Sequence, residues 1–316
     1  MTETVVIASG AKQSRILIDQ STIACPSIES LATAEDYWQL LKPRVMSLVV
    51  FTGIVGLLLA PGHIHPIIGL AAILCIAVGS GAAGALNMWY ERDIDAMMER
   101  TKGRPLPQGK IQPGEALGFG LTLAIGSVIV MYTLVKFWAA FYLAIGILFY
   151  VFVYTIWLKR ATPQNIVIGG AAGALPPVIG WASVMNGSSL LPWVLFGIIF
   201  LWTPPHFWAL SLYRHEDYAK ANLPMLPVVS GLERTKNQIL FYILALIPLS
   251  LFPLYLGELG VFYGSAALLL GLFFLAFGIK LKFSQEPKDG LRLFFYSILY
   301  LFLLFAAMVG DKFGGL

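Results

Sequence analysis

Between Asn87 and Pro105 the chain reads NMWYERDIDAMMERTKGRP, where an apolar run gives way to four carboxylates and three arginines. Asn87, Glu91, Asp95 and Glu99 recur every four residues. On a helix that continues out of the apolar run, this spacing gives one stripe of oxygen ligands. Oxygen donors so grouped suit a hard divalent cation, which also offsets the cost of placing carboxylates near hydrocarbon. Arg100, Lys102 and Arg104 follow at once and suit a phosphate ester bridged to that cation. The chemistry this implies is that of a membrane enzyme acting on a diphosphate. A surface charge network, with the acids paired to Arg92, Arg100, Lys102 and Arg104, is the plain alternative. Against it stands Asn87, still inside the apolar run, where a polar side chain needs a partner. Asp93 lies roughly 200° around the helix from Glu91, so it is expected to be an ion-pair partner or a second-metal ligand.

A second charged segment, Tyr213 to Lys220 (YRHEDYAK), follows the apolar run ending TPPHFWALSLY. Glu216 and Asp217 are adjacent and cannot share a helix face, so at most one points at a common metal. An ion-pair cluster with Arg214 and Lys220 explains the segment equally well. His206 sits between Pro205 and Phe207, with Trp202 and Trp208 near it in sequence. It could fill hydrogen bonds freed by proline, or face a flat apolar macrocycle with the aromatic residues as walls. Lys159 and Arg160 extend the basic rim, or anchor a span end.

These residues need elements to hold them. With 58% hydrophobic and 12% charged residues over 316 positions, the surface could not be covered by polar groups, which excludes a water-soluble domain. The fold class expected is all-α: a polytopic membrane protein of nine transmembrane helices around a central cavity. The spans fall near 38–60, 66–89, 114–135, 137–158, 165–185, 189–212, 237–256, 260–283 and 291–310. The pairs Pro176-Pro177 and Pro204-Pro205 fit broken helices that line a cavity. Of the 21 Lys and Arg, all but Lys136 and Lys312 fall on the side of the N-terminus, which predicts a cytoplasmic N-terminus. Positive-inside loops account for the net charge of +4 without a nucleic-acid partner. Two connections are long, 90–113 and 213–236, and lie on that same side four spans apart, which suggests two four-helix halves whose charged loops cap one cavity; two unrelated solvated loops fit the spacing as well. Residues 1–37 read as a poorly ordered tail and 38–316 as the membrane domain. Cys25 and Cys75, one in the tail and one in mid-span, support neither a disulfide framework nor a thiolate metal site.

The asparagine and acids at four-residue spacing resemble the NDxxDxxxD signature of UbiA-type membrane prenyltransferases. The segments LLKPRVM, NMWYERDIDAMMERTKGRPLPQG, LKRATPQNIVIGGAAGALPPVIGW and WTPPHFWALSLYRHEDYAKANLPMLPVV resemble the heme-farnesylating branch of that family, in order, over roughly residues 40 to 230. The resemblance implies farnesyl diphosphate and protoheme IX (heme b) as substrates, heme O as product and Mg²⁺ as cofactor. It implies a multi-pass protein of the cell inner membrane, with heme A synthase or oxidase assembly factors as protein partners. Carried over residue by residue, Asn87, Glu91 and Asp95 match the signature, with Glu91 in place of its first aspartate. Arg100 and Arg104 match the basic RTxxRP positions, and Asp217 and His206 match the heme branch. The second segment departs from the wider family's DxxxD pattern, having Arg214 and Tyr218 at the nearest spacing, which puts a symmetric two-metal site in doubt.

The site expected is therefore a catalytic set of Asn87, Glu91, Asp95, Arg100, Arg104 and Asp217, with Asn87, Glu91, Asp95 and Asp217 on the metal. Lys159, Arg160, His206, Arg214, Trp181, Trp202 and Trp208 are expected to bind substrate, with Phe207 among the walls. Two other activities compete: prenylation of an aromatic quinone precursor, against which the HFWALSLYRHEDY block counts, and transport of an apolar substrate. No span carries an ionisable residue in its middle, which weakens transport in general, although transport of an apolar substrate escapes that objection.

Overall fold

The computed structural model describes residues 32–186, 189–221 and 223–314. Proline opens several of its helices. Lacking an N–H that would be unpaired there anyway, it suits the first position. In chain order the helices are α1 (Ala34–Leu40), α2 (Pro43–Leu59), α3 (Pro66–Tyr90), α4 (Arg92–Met97), α5 (Pro113–Val130), α6 (Phe137–Leu148) and the short α7 (Lys159–Ala161). They continue as α8 (Asn165–Ala174), α9 (Pro176–Val184), α10 (Leu190–Tyr213), α11 (His215–Lys220), α12 (Leu226–Ser230), α13 (Leu232–Tyr255), α14 (Val261–Phe283) and α15 (Pro287–Gly314). Wide-turn π segments extend α5 (Met131–Val135) and α6 (Phe149–Leu158). There is no strand among the described residues.

Eight of these helical runs are long and apolar enough to cross a bilayer, and α1 with α2, bent by 57° at their junction, gives a ninth where the bent pair is counted as one span. The expected first span, 38–60, is thus not one straight helix. Pro43 cannot continue the ladder of α1, and Lys42 before it takes a left-handed conformation (φ 54°, ψ 57°). α1 begins inside the expected tail, under a Thr33–Asp36 capping box, so the boundary anticipated at residue 37 falls within a helix. The rest of that tail, with Cys25, lies outside the described residues. Cys75 is a buried free thiol.

α15 packs on α10, α14 and α2, which closes the chain onto its first span. α2 meets α9 backbone to backbone. A Cβ at Gly180 would lie 2.0 Å from the Gly53 carbonyl, and one at Gly56 would lie 2.1 Å from that of Pro177. Small residues let such helices touch without side chains between them. The fifth span breaks between α8 and α9 at Pro176, as its proline pair suggests. Pro204 and Pro205, by contrast, sit inside α10 without breaking it, and the Thr203 hydroxyl donates to the Ile199 carbonyl nearby (2.7 Å).

Lys136 and Lys312, the two basic residues that the span assignment sets apart from the others, donate to the carbonyls of Val184 and Leu59, at the ends of α9 and α2. Asp311 accepts from the backbone N–H of Gly260 and of Tyr263 (3.1 Å) at the start of α14. These charges complete helix ends.

Candidate functional site

Asn87 and Glu91 lie at the C-terminal end of α3, Asp95 in α4. Glu91 sits at the joint, yet its N–H still reaches the Asn87 carbonyl (3.0 Å), and the Asp95 N–H reaches the Glu91 carbonyl (2.8 Å). The four-residue period therefore survives the joint, and all three side chains are buried. It fails at Glu99. α4 ends at Met97, Met98 is extended, and the Glu99 side chain is 69% exposed and paired with Lys102 at 2.6 Å. The stripe is three residues long.

Each of the three meets a base from a different part of the chain. Lys42, at the α1–α2 bend, donates to Asn87 Oδ1. Lys159, at the end of the fourth span, donates to Glu91 Oε2. Arg104 donates to Asp95 Oδ2 at 2.6 Å, and the Asp95 carbonyl accepts from the buried Thr101 hydroxyl at 2.9 Å. Asp93 makes the ion pair expected of it, a forked contact with Arg160 at 2.8 and 3.0 Å. Partial burial works against the charge of Asp93, but the Arg160 guanidinium and the backbone N–H groups of Asp93 and Ile94 together outweigh it and hold the carboxyl below the usual range. Glu99 is also held low, chiefly by its hydrogen bond from Lys102. Arg100 is exposed and has no ion-pair partner among the described residues.

The two charged segments border one continuous apolar core, which includes Ile94 and Met98 of the first and Leu212, Tyr218, Leu223 and Met225 in and beside the second. Asp217 is not brought into the stripe by any contact. Its carboxylate lies 3.4 Å from Arg214, whose Nε is buried without a partner.

Among the described residues no three Asp, Glu, His or Cys side chains converge on a metal position by themselves. The four-residue ligand set with Asp217 therefore does not form here. The donors of the stripe still fit a hard dication whose remaining ligands come from a diphosphate. They are all oxygens, two of them anionic, and Glu91 Oε1 is buried with no hydrogen-bond partner.

His206 is buried at 8% exposure between the rings of Trp202 (4.3 Å) and Phe294 (4.5 Å), both stacked on it. Its Nδ1 lies 2.7 Å from the Ser297 hydroxyl. That hydroxyl spends its proton on the Phe294 carbonyl at 2.6 Å, so Nδ1 is the donor and Nε2 carries the lone pair. Trp202 Nε1 donates to the Ser297 carbonyl (2.7 Å). Trp181 is core, Trp208 packs edge-on to Tyr242 of α13, and Phe207 is 39% exposed. An apolar groove of about 510 Å³, lined by Leu86, Trp89, Tyr90, Leu121, Val128 and Phe152 among others, begins one residue from Glu91.

Three residues of this constellation carry no role in the sequence reading: Lys42, Thr155 and Ser297. Thr155 accepts from Asn87 Nδ2 at 3.1 Å. A signal existed for it, since it is a hydroxyl in an apolar run four residues before Lys159 and so on the same face.

Residues 49–304 match the UbiA prenyltransferase family. A protoheme IX farnesyltransferase of Parvibaculum lavamentivorans is 56% identical, over 90% of this chain and 91% of its own. That of Acidiphilium cryptum is 52% identical, over 98% of this chain and 99% of its own. Among solved structures, a digeranylgeranylglyceryl phosphate synthase superposes with a TM-score of 0.74 at 18% identity, covering 89% of this chain and 98% of that one. A UbiA homologue from Archaeoglobus fulgidus bound to GPP and Mg²⁺ gives 0.63 at 17% identity, covering 86% and 99%. At such identity these two speak to the fold alone.

Proposed function

The chain belongs to the UbiA prenyltransferase family, and on that premise we propose that it transfers the farnesyl group of farnesyl diphosphate to a vinyl group of protoheme IX, making heme O. The observation that carries the reading is the buried triplet Asn87, Glu91 and Asp95, ringed by Lys42, Lys159 and Arg104 at one end of the helix ring. Relatives over 50% identical that carry the heme-farnesylating name support the acceptor.

Asn87, Glu91 and Asp95 would hold Mg²⁺, with Asp217 reaching it only if α11 moves toward the stripe. When bound, the ion supplies positive charge to the diphosphate oxygens as negative charge grows on them. The bases complement this. Lys42, Lys159 and Arg104 exchange a carboxylate or amide oxygen for a phosphate oxygen, while Arg100 and the unpartnered Nε of Arg214 are donors already at hand. Aimed at the leaving group, these charges stabilise the transition state more than the ground state, which is what lowers a barrier. Arg160 stays on Asp93 and orders the rim. The C1–oxygen bond of the allylic diphosphate breaks, and its electron pair leaves with diphosphate. The vinyl carbon forms the new C–C bond. Water then adds to the resulting cation and loses a proton, giving the hydroxyethylfarnesyl side chain. The groove beside Trp89 and Tyr90 has room for an apolar chain. His206, its lone pair on Nε2, faces the heme side, with Trp202 as a wall and Trp181 and Trp208 packed behind. The protein lies in the cell inner membrane with its N-terminus and charged rim in the cytoplasm.

The test is heme extraction from membranes overexpressing the chain, followed by chromatography. A farnesylated heme that requires farnesyl diphosphate and Mg²⁺ is expected. A prenylated quinone precursor without it would move the acceptor to the other branch of the family. In the same assay His206→Ala is expected to insert normally and to lose heme affinity or turnover. Poor insertion with normal activity per molecule would make the histidine a packing residue.

A further inference from the structure

Of the three stripe donors, Asn87 alone has two chemically different ends. A carboxylate presents oxygen however it turns, whereas a carboxamide turned by 180° presents a nitrogen that repels a cation. The structure holds the nitrogen end. Asn87 Nδ2 donates to Thr155 Oγ1 at 3.1 Å, both side chains being at most 2% exposed.

The direction of that bond is fixed by the wide turn in which Thr155 lies. Along Phe149–Leu158 the fourth span is a π helix, and the Thr155 hydroxyl donates to the Tyr150 carbonyl, five residues back, at 2.8 Å. Its one proton is thereby committed, so toward Asn87 it can only accept. Oδ1 of Asn87 must then face the other way, where it accepts from Lys42. The register continues one turn on. Asn87–Thr155 and Glu91–Lys159 are both separated by 68 residues, so the same face of the fourth span that orients the amide also delivers the lysine to Glu91. Wide-turn insertions of this kind commonly re-aim side chains at functional sites.

We infer that Thr155 is a positioning residue, which through the wide turn around it holds the Asn87 carbonyl oxygen toward the cation and diphosphate. The inference rests on the proposal that Asn87 and Glu91 hold the divalent ion. Without the hydroxyl, the amide nitrogen loses that acceptor, while Glu91 Oε1, one turn on, is a buried acceptor with no partner. Outer partners that orient metal ligands typically contribute about 10- to 100-fold in metal affinity.

The experiment is Mn²⁺ binding to purified protein in detergent, followed by electron paramagnetic resonance with a non-reacting farnesyl thiodiphosphate present and expressed per folded molecule. Thr155→Val, which keeps the shape, is expected to raise the Mn²⁺ midpoint at least about tenfold, while Thr155→Ser stays near wild type. In an Asn87→Asp background the same Thr155→Val change is expected to cost nothing, since a carboxylate has no nitrogen end to hold. A merely structural threonine would cost the same in both backgrounds. An unchanged midpoint in Thr155→Val, beside a weakened one in Glu91→Gln, would overturn the role of Thr155 alone. Unchanged midpoints in both would overturn the cation site itself.

Discussion

The two ends of the helix ring use charge in different ways. At one end, Lys136, Lys312 and Asp311 bond to backbone groups at the termini of neighbouring helices. Those bonds finish the fold. At the other end, Asn87, Glu91 and Asp95 are buried against Lys42, Lys159 and Arg104, and the set is incomplete, since Glu91 Oε1 is buried without a partner. A buried polar atom left unpaired costs about 1–3 kcal/mol, so a charge cluster kept in that condition is a poor device for stability alone. Side chain to side chain pairs can be exchanged for a ligand; caps on a helix end cannot be without fraying the helix. The difference teaches which charges belong to the fold and which to the reaction.

Substitutions at either end can break that division. The largest effect is expected from Glu91→Gln, which removes a cation donor without changing volume. Turnover should fall by about 10³-fold with insertion intact, and near-normal activity at low Mg²⁺ would end the distinction. Next comes Lys159→Met, which leaves Glu91 buried and uncompensated. The loss is on the order of 3 kcal/mol, read as an apparent melting temperature in detergent. Adding Glu91→Gln to it should restore much of that stability but none of the activity. At the opposite end, Asp311→Ala should cost about 1–2 kcal/mol through the lost cap of α14 and leave kcat and KM per folded molecule unchanged. A change in KM there would blur the comparison. The smallest effect lies with Asp93. Its carboxyl is held below the usual range in the folded protein, so its pairing stabilises above the unfolded carboxyl's pKa and fades as pH falls through the folded one. The side chain is 57% exposed, so Asp93→Asn should cost less than about 0.5 kcal/mol at neutral pH. The two proteins should converge in stability as the solution is made acid, and a gap that widened instead would refute the pairing.

Much of this was legible in the chain itself. The spans lie close to where hydropathy puts them, because crossing hydrocarbon requires about 20 apolar residues wherever the helix packs. The triplet Asn87, Glu91 and Asp95 was legible because a four-residue period is a local property of a helix. Glu99 was misread for the same reason: periodicity carries no notice that the chain leaves the helix after Met97. The bend at Lys42 was marked by Pro43 yet passed over, since composition registers only an apolar run.

What the sequence determined by itself is the class of the protein and the placing of Asn87, Glu91 and Asp95 on one helical face, both of which follow from local composition and spacing. Only the tertiary structure decided who meets whom. The partners of the stripe come from 45 and 68 residues away, at Lys42 and Lys159, and the acceptor that orients Asn87 from 68. Such meetings depend on how far one helix is rotated and shifted along another. Close backbones, as at Gly53 and Gly180, and the wide turn around Thr155 belong to that level of the structure, and a linear pattern of residues does not encode it one segment at a time.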